Sequence, residues 1–278
     1  MMKRLAALGT IGTLCLAVLV LTGCEDGVVG SAPTNFALVA GADGITVVLS
    51  WEEPTEGEPD GYIVYFREVN TTDWVVGDSL DATEFEFTHD PGELTGDYMI
   101  AAYWDEDEFE TDELTTVPIH TSAVSIYELN AAGNSGYGWA IAGDFTGSTY
   151  SMAQVANAPL VDFYVTDFAP GTGASDWAIA TPDLAPTDPG GVTPADNWRT
   201  SWFTDPIVDP QAALPAYGPT TFFNYTEGIE VDPTYIGVFL DDEEHFALVK
   251  FSGVNPGDGS IQVETWFQTV QGLRLIAH

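Results

Sequence analysis

Apolar residues in this chain recur at every second position, in short runs broken by turn-forming residues. Val47, Leu49 and Trp51 form one such run, Tyr62, Val64 and Phe66 a second, and Tyr98, Ile100 and Ala102 a third. Val161, Phe163 and Val165 repeat the pattern far downstream. A period of two places alternate side chains on one face of an extended strand. No stretch sustains the 3.6-residue period of an amphipathic helix, although Asp209–Leu214 has room for one helical turn. These runs predict an all-β fold of antiparallel sheets.

Seven strands are predicted between residues 33 and 122. They are Phe36–Val39, Ile45–Trp51, Gly61–Val69, Trp74–Val76, Glu84–Thr88, Asp97–Tyr103 and Leu114–Ile119. Pro54 ends the second, because proline removes a ladder donor. Pro33, Leu49-Ser50-Trp51 with Pro54, Tyr62-Ile63-Val64-Tyr65, Leu94-Thr95-Gly96-Asp97-Tyr98 and Ala102 together resemble a fibronectin type III domain. The resemblance implies an immunoglobulin-like sandwich with Trp51 packed against Tyr62. It also implies a tyrosine corner, in which the Tyr98 hydroxyl bonds backbone near Leu94. The loop after the sixth strand carries Asp105-Glu106-Asp107-Glu108 rather than Arg-Gly-Asp, so integrin-type adhesion does not carry over.

Residues 123–278 lack that signature but keep the strand pattern. The expectation is a larger antiparallel β-sandwich or barrel-like domain with a long Gly/Pro/Asp excursion from Ala169 to Asn197. Tyr235–Leu240 and His245–Phe251, joined by Asp241-Asp242-Glu243-Glu244, form the clearest hairpin. Leu273–Ile276 is expected to close the set as a last strand.

The N-terminus carries Lys3 and Arg4, then an apolar run, then Leu21-Thr22-Gly23-Cys24. This order is a signal-peptide pattern, and its end resembles the lipobox of bacterial lipoproteins. The resemblance implies cleavage after residue 23 and acylation of Cys24, with residues 24–32 as a tether. It implies export and a lipid anchor in the cell envelope, at the outer membrane or cell surface. Cys15 lies in the signal, so the mature chain would hold no disulfide, and cysteine-based zinc or redox chemistry is excluded.

The chain has 43 acidic and 6 basic residues, a formal net charge of −37. Nucleic acid is excluded as a partner, since phosphate binding needs Lys and Arg. Anionic lipid should repel the body, so attachment to a membrane falls to the anchor on Cys24. The excess also suits a saline habitat, where salt screens self-repulsion.

No phosphate loop or nucleophile elbow occurs, and no catalytic residue or cofactor is implied. His89, His120, His245 and His278 are not at metal-ligand spacing. The four acids preceding His245 should raise its proton affinity, in a solvated turn. Asp105, Asp107, Asp241 and Asp242 are weak cation candidates, although Phe109 and Glu110 break the calcium-loop pattern. Trp139, Trp177, Trp198 and Trp202 are the ligand-binding candidates, because exposed indoles stack on sugar rings; filling a sandwich core is the competing role. Asp144-Phe145-Thr146-Gly147 followed by Asp162-Phe163-Tyr164 resembles the all-β haem-binding lipoproteins of the HmuY type. Those use His or Met pairs; here Met99, Met152 and the histidines are the residues of that kind, and no ligand carries over.

These readings lead to a non-catalytic, lipid-anchored envelope protein. Its fibronectin-like spacer would present a distal β domain to a glycan or protein ligand. A carbohydrate-binding lipoprotein and a secreted hydrolase are the alternatives.

Overall fold

The structure is a computed structural model that describes residues 29–168, 177–191, 193–194, 197–207 and 213–278. The expected signal peptide, Cys24 and most of Asp209–Leu214 lie outside the described residues. Eighteen strands form four antiparallel sheets among those residues.

In the first unit, β1 (Thr34–Ala40), β2 (Val47–Glu52) and β5 (Glu86–His89) make one sheet. The facing sheet contains β3 (Gly61–Glu68), β4 (Val75–Asp81), β6 (Gly96–Trp104) and β7 (Asp107–Glu110), in the order β4-β3-β6-β7. The short β8 (Leu114–Thr115) also pairs with β6. Alternate residues of both sheets meet in one core that includes Val47, Leu49, Trp51, Tyr62, Val64, Tyr98 and Ile100. Trp51 stands edge-on to Tyr62, with ring centroids 5.4 Å apart. The Tyr98 hydroxyl departs from the tyrosine corner. It hydrogen-bonds His89 Nδ1 at 3.0 Å rather than backbone near Leu94, because β5 carries the imidazole directly beneath it.

The predicted strand Leu114–Ile119 is two pieces. Pro118, which cannot donate to a ladder, separates β8 from β9 (Ile119–Tyr127). β9 leaves the first unit and pairs with β18 (Ser260–Phe267) of the second, so one strand straddles residues 122 and 123.

The second unit is built from two five-stranded sheets. One runs β11 (Gly147–Tyr150), β10 (Gly136–Trp139), β12 (Phe163–Thr166), β13 (Ala178–Ala180), β15 (Tyr225–Glu227). The other runs β14 (Ser201–Phe203), β16 (Thr234–Leu240), β17 (His245–Asn255), β18, β9. Their inner faces enclose a core containing Tyr137, Phe163, Ile179, Phe203, Val238, Val249 and Phe267. At one edge, Phe223 exchanges backbone hydrogen bonds with Phe203, and two residues later the chain pairs with β13. The segment therefore passes from one sheet to the other and partly closes the sandwich.

Both outer faces are covered. Short 3-10 turns at Val155–Leu160 and Pro182–Thr187 help bury Tyr164, Ala180 and Trp198 on one side. Leu214, Phe222 and Ile276 cover Phe239, Phe246 and Leu248 on the other. This explains why β12, β13 and β16 read as continuous apolar runs, as strands buried on both faces do.

The expected strand Leu273–Ile276 is not a strand. The segment returns to the first unit and buries Leu273 and Leu275 in its core. Its contacts define a junction at the β1–β2 turn, where Gly44 has φ of 71° and approaches Gly272 and Arg274.

Candidate functional site

The structure first sorts the tryptophans. Trp139, Trp177 and Trp198 are 3%, 2% and 6% exposed. Trp139 Nε1 donates to Thr265 Oγ1 at 3.2 Å, and Trp198 Nε1 donates to the Pro194 carbonyl at 3.2 Å. The Trp177 backbone N–H donates to Glu230 Oε1 at 2.7 Å. Trp202 is half-buried, 6.0 Å from the Tyr217 ring. A flat indole platform open to solvent is therefore absent among these residues. Trp139 and Trp177 face the space between the sheets, and Trp198 lies beneath the irregular cover.

The cation candidates stay apart. Asp105 and Asp107 are exposed at the β6–β7 turn, and Asp241 and Asp242 at the β16–β17 turn. Among the described residues, no group of three or more His, Cys, Asp or Glu is arranged to hold a metal ion. His245 is not in a solvated turn. It is buried against Phe145 and Phe267, and its Nδ1 hydrogen-bonds the Gln268 carbonyl at 3.0 Å. Burial lowers its pKa and outweighs both that bond and the attraction of Glu243, the reverse of the expectation from its acidic neighbours.

A buried ion cluster fastens the two sheets at the junction end. Arg199 Nη1 lies 3.0 Å from Asp162 Oδ1, and Nη2 pairs with Glu243. Asp162 Oδ2 accepts the Trp139 N–H at 2.8 Å. Burial pushes the Asp162 carboxyl up to about 7, against the pull of Arg199. The Asp162 carboxyl is enclosed, while the Arg199 and Glu243 side chains remain partly exposed.

An open concave surface lies at the opposite end of the second unit, apart from a hollow at the junction and a larger one beside Trp51 and Phe85 in the first unit. Ser201 pairs with Leu240, Phe203 with Val238, and Ile207 with Tyr235. The chain from Ser201 to Ile207 thus runs away from the Asp241–Glu244 turn, and Asp205 lies in the far half. Two hollows meet there and share Asn224, Tyr225 and Glu227. One, of 400 Å³, is also lined by Phe168, Thr187 and Asp188. The other, of 330 Å³, adds Asp205 and Phe223. Both fall in the usual size range of small-ligand pockets.

Tyr225 is 44% exposed and Phe223 37%. Phe168 meets Tyr225 edge-on at 5.4 Å, from a backbone φ of 53°. Left-handed backbone is unusual for a bulky residue; here it turns the Phe168 ring onto Tyr225. β15 begins only at Tyr225, and the aromatic residues around it are not among the candidates that the sequence offers. A signal was present in Phe222-Phe223. Adjacent residues of an extended chain point to opposite faces, so both rings cannot enter one core. Phe222 is buried and Phe223 is left outside.

No family model matches the chain, and no curated protein matches its sequence. Among solved structures, it is similar to a DUF4466 family protein from Parabacteroides merdae ATCC 43184, determined at 2.00 Å. Identity is 11%, the match covers 86% of this chain and 100% of that one, and the TM-score is 0.41.

Proposed function

We infer that this is an exported, lipid-anchored protein of the cell envelope. Its fibronectin type III-like first unit acts as a spacer, and its second unit binds a ligand. The observation that carries this reading is the placement of two contacts at opposite ends of the first sandwich. Gly30, six residues after Cys24, packs against Trp104 and Phe109, and the Ser31 hydroxyl accepts the Glu56 N–H. The second unit meets the other end, at Ala40–Gly44. β1, with seven residues, runs between them and spans about 23 Å.

The strand order of the first unit supports the spacer assignment: three strands face a sheet ordered β4-β3-β6-β7. Non-catalytic use is supported by Asp162. Burial raises its pKa to about 7, and the carboxyl is enclosed by Arg199 and the Trp139 N–H.

Expression with radiolabelled fatty acid tests the anchor. Label is expected on the native chain, with accumulation of the precursor under globomycin. No incorporation, or incorporation that survives Cys24→Ala, rules the anchor out.

A further inference from the structure

We propose that the groove around Tyr225 binds a quaternary ammonium group, carried by a small molecule or a lipid headgroup. This rests on the reading of the second unit as the binding half.

Shape comes first. Phe168 and Tyr225 stand at 71° to one another and 5.4 Å apart, forming an L-shaped corner. Phe223 lines the adjoining hollow. Ring faces carry the negative side of the aromatic quadrupole and attract cations. Leu184 and Pro189 complete the corner. Such walls suit a large, weakly hydrated cation. A metal ion needs converging oxygens instead.

Charge points the same way. Asp205 and Glu227 are exposed, and among the described residues their side chains make no hydrogen bond or ion pair. Asp188 is buried beside them and held in place. Its Oδ2 accepts the Tyr164 hydroxyl at 2.9 Å, and its Oδ1 accepts the Gly190 N–H at 2.7 Å. Among the described residues, no Lys, Arg or His lines either hollow. The surrounding field, from a chain of net charge −37, draws cations toward the groove and repels anionic ligands. Asn224, shared by both hollows and exposed, supplies an amide for the remainder of the ligand.

Choline is the probe. Full-length protein in polyoxyethylene detergent is titrated by calorimetry in about 0.5 M NaCl, which suppresses diffuse counter-ion binding. Saturable choline binding is expected, with none for its uncharged tert-butyl isostere. Tyr225→Ala should weaken choline about tenfold or more, while Tyr225→Phe retains affinity. Glu227→Gln should also weaken it, and both positions are exposed enough for the variants to fold. Competition by a phosphocholine-headed detergent assigns the lipid headgroup; absence of competition assigns the free small molecule. No choline binding, equal binding of the isostere, or indifference to Tyr225→Ala overturns the proposal. Binding of a neutral oligosaccharide without choline also overturns it, in favour of a glycan groove. Failure here leaves the anchor intact, because labelling at Cys24 is read separately.

Discussion

The backbone N–H of Arg274 donates to the Gly44 carbonyl at 2.8 Å. This one bond joins the last segment of the second unit to the first hairpin of the first. Arg274 Nη2 adds a bond to the Asp43 carbonyl at 2.8 Å, and the Thr95 hydroxyl donates to the Ala277 carbonyl at 2.6 Å. Leu273 and Leu275, on either side of Arg274, fill the first core. A spacer of the kind proposed needs a stiff joint, and these contacts lie at that joint.

Leu275→Ala is therefore expected to destabilise the first unit. The side chain is fully buried, and such truncations cost about 2–5 kcal/mol. Urea unfolding should show one transition for the native protein. For the variant, Trp51, in the first core, should report unfolding before the tryptophans of the second. Coincident transitions in the variant would mean that the segment does not couple the units.

Arg199→Ala should cost about 3–5 kcal/mol at pH 8, because it leaves the Asp162 carboxylate buried without its partner. The cost should shrink at pH 5. Asp162 has a folded pKa of about 7, above the ordinary value of 3.8, so the fold takes up a proton on this group between those values. Stability from that uptake is present at low pH and lost as pH rises through 7. Melting temperatures of both proteins at the two pH values provide the check.

The histidines act with the opposite sign. His89 and His245 both have pKa values lowered by burial. The unfolded chain binds protons on them below about 6.5 while the folded chain resists. Stability from this source is present above that pH and declines as pH falls. His245→Gln should flatten the decline between pH 7 and 5 relative to the native chain. An unchanged slope would show that His245 is free to protonate in the fold.

Salt should stabilise the protein. Self-repulsion at net charge −37 is screened over about 10 Å at 0.1 M ionic strength. The melting midpoint is expected to climb from low to molar NaCl. A flat profile would remove the saline-habitat reading.

Much of the fold was legible because alternation survives wherever one strand face is wet. β2, with Val47, Leu49 and Trp51 buried in turn, is the clearest instance, and the β16–β17 hairpin has its expected turn at Asp241–Glu244. Expectation and structure part where the backbone leaves the sheet. Leu273, Arg274 and Leu275 alternate as a strand would, yet the segment forms no strand and tertiary packing buries it in the neighbouring unit. The tryptophans misled because an indole's chemistry suits a core as well as a platform. Burial depends on which segments fold over a sheet, and local sequence does not record that. The groove was missed for a related reason. Phe168, Tyr225 and Asp205 lie on three separate segments, and only the crossing at Phe203 and Phe223 brings them together.

The most direct test of the anchored spacer is the height of each unit above a bilayer. Single cysteines at Asp107→Cys, near the anchor end, and Val231→Cys, near the groove, would carry a fluorophore in the acylated protein on vesicles. Val231 is 68% exposed, and Asp107 is also open to solvent. Headgroup-attached quencher should dim the label at 107 strongly and spare the label at 231. Equal quenching at both positions, or stronger quenching at 231, would contradict a first unit that holds the second away from the membrane.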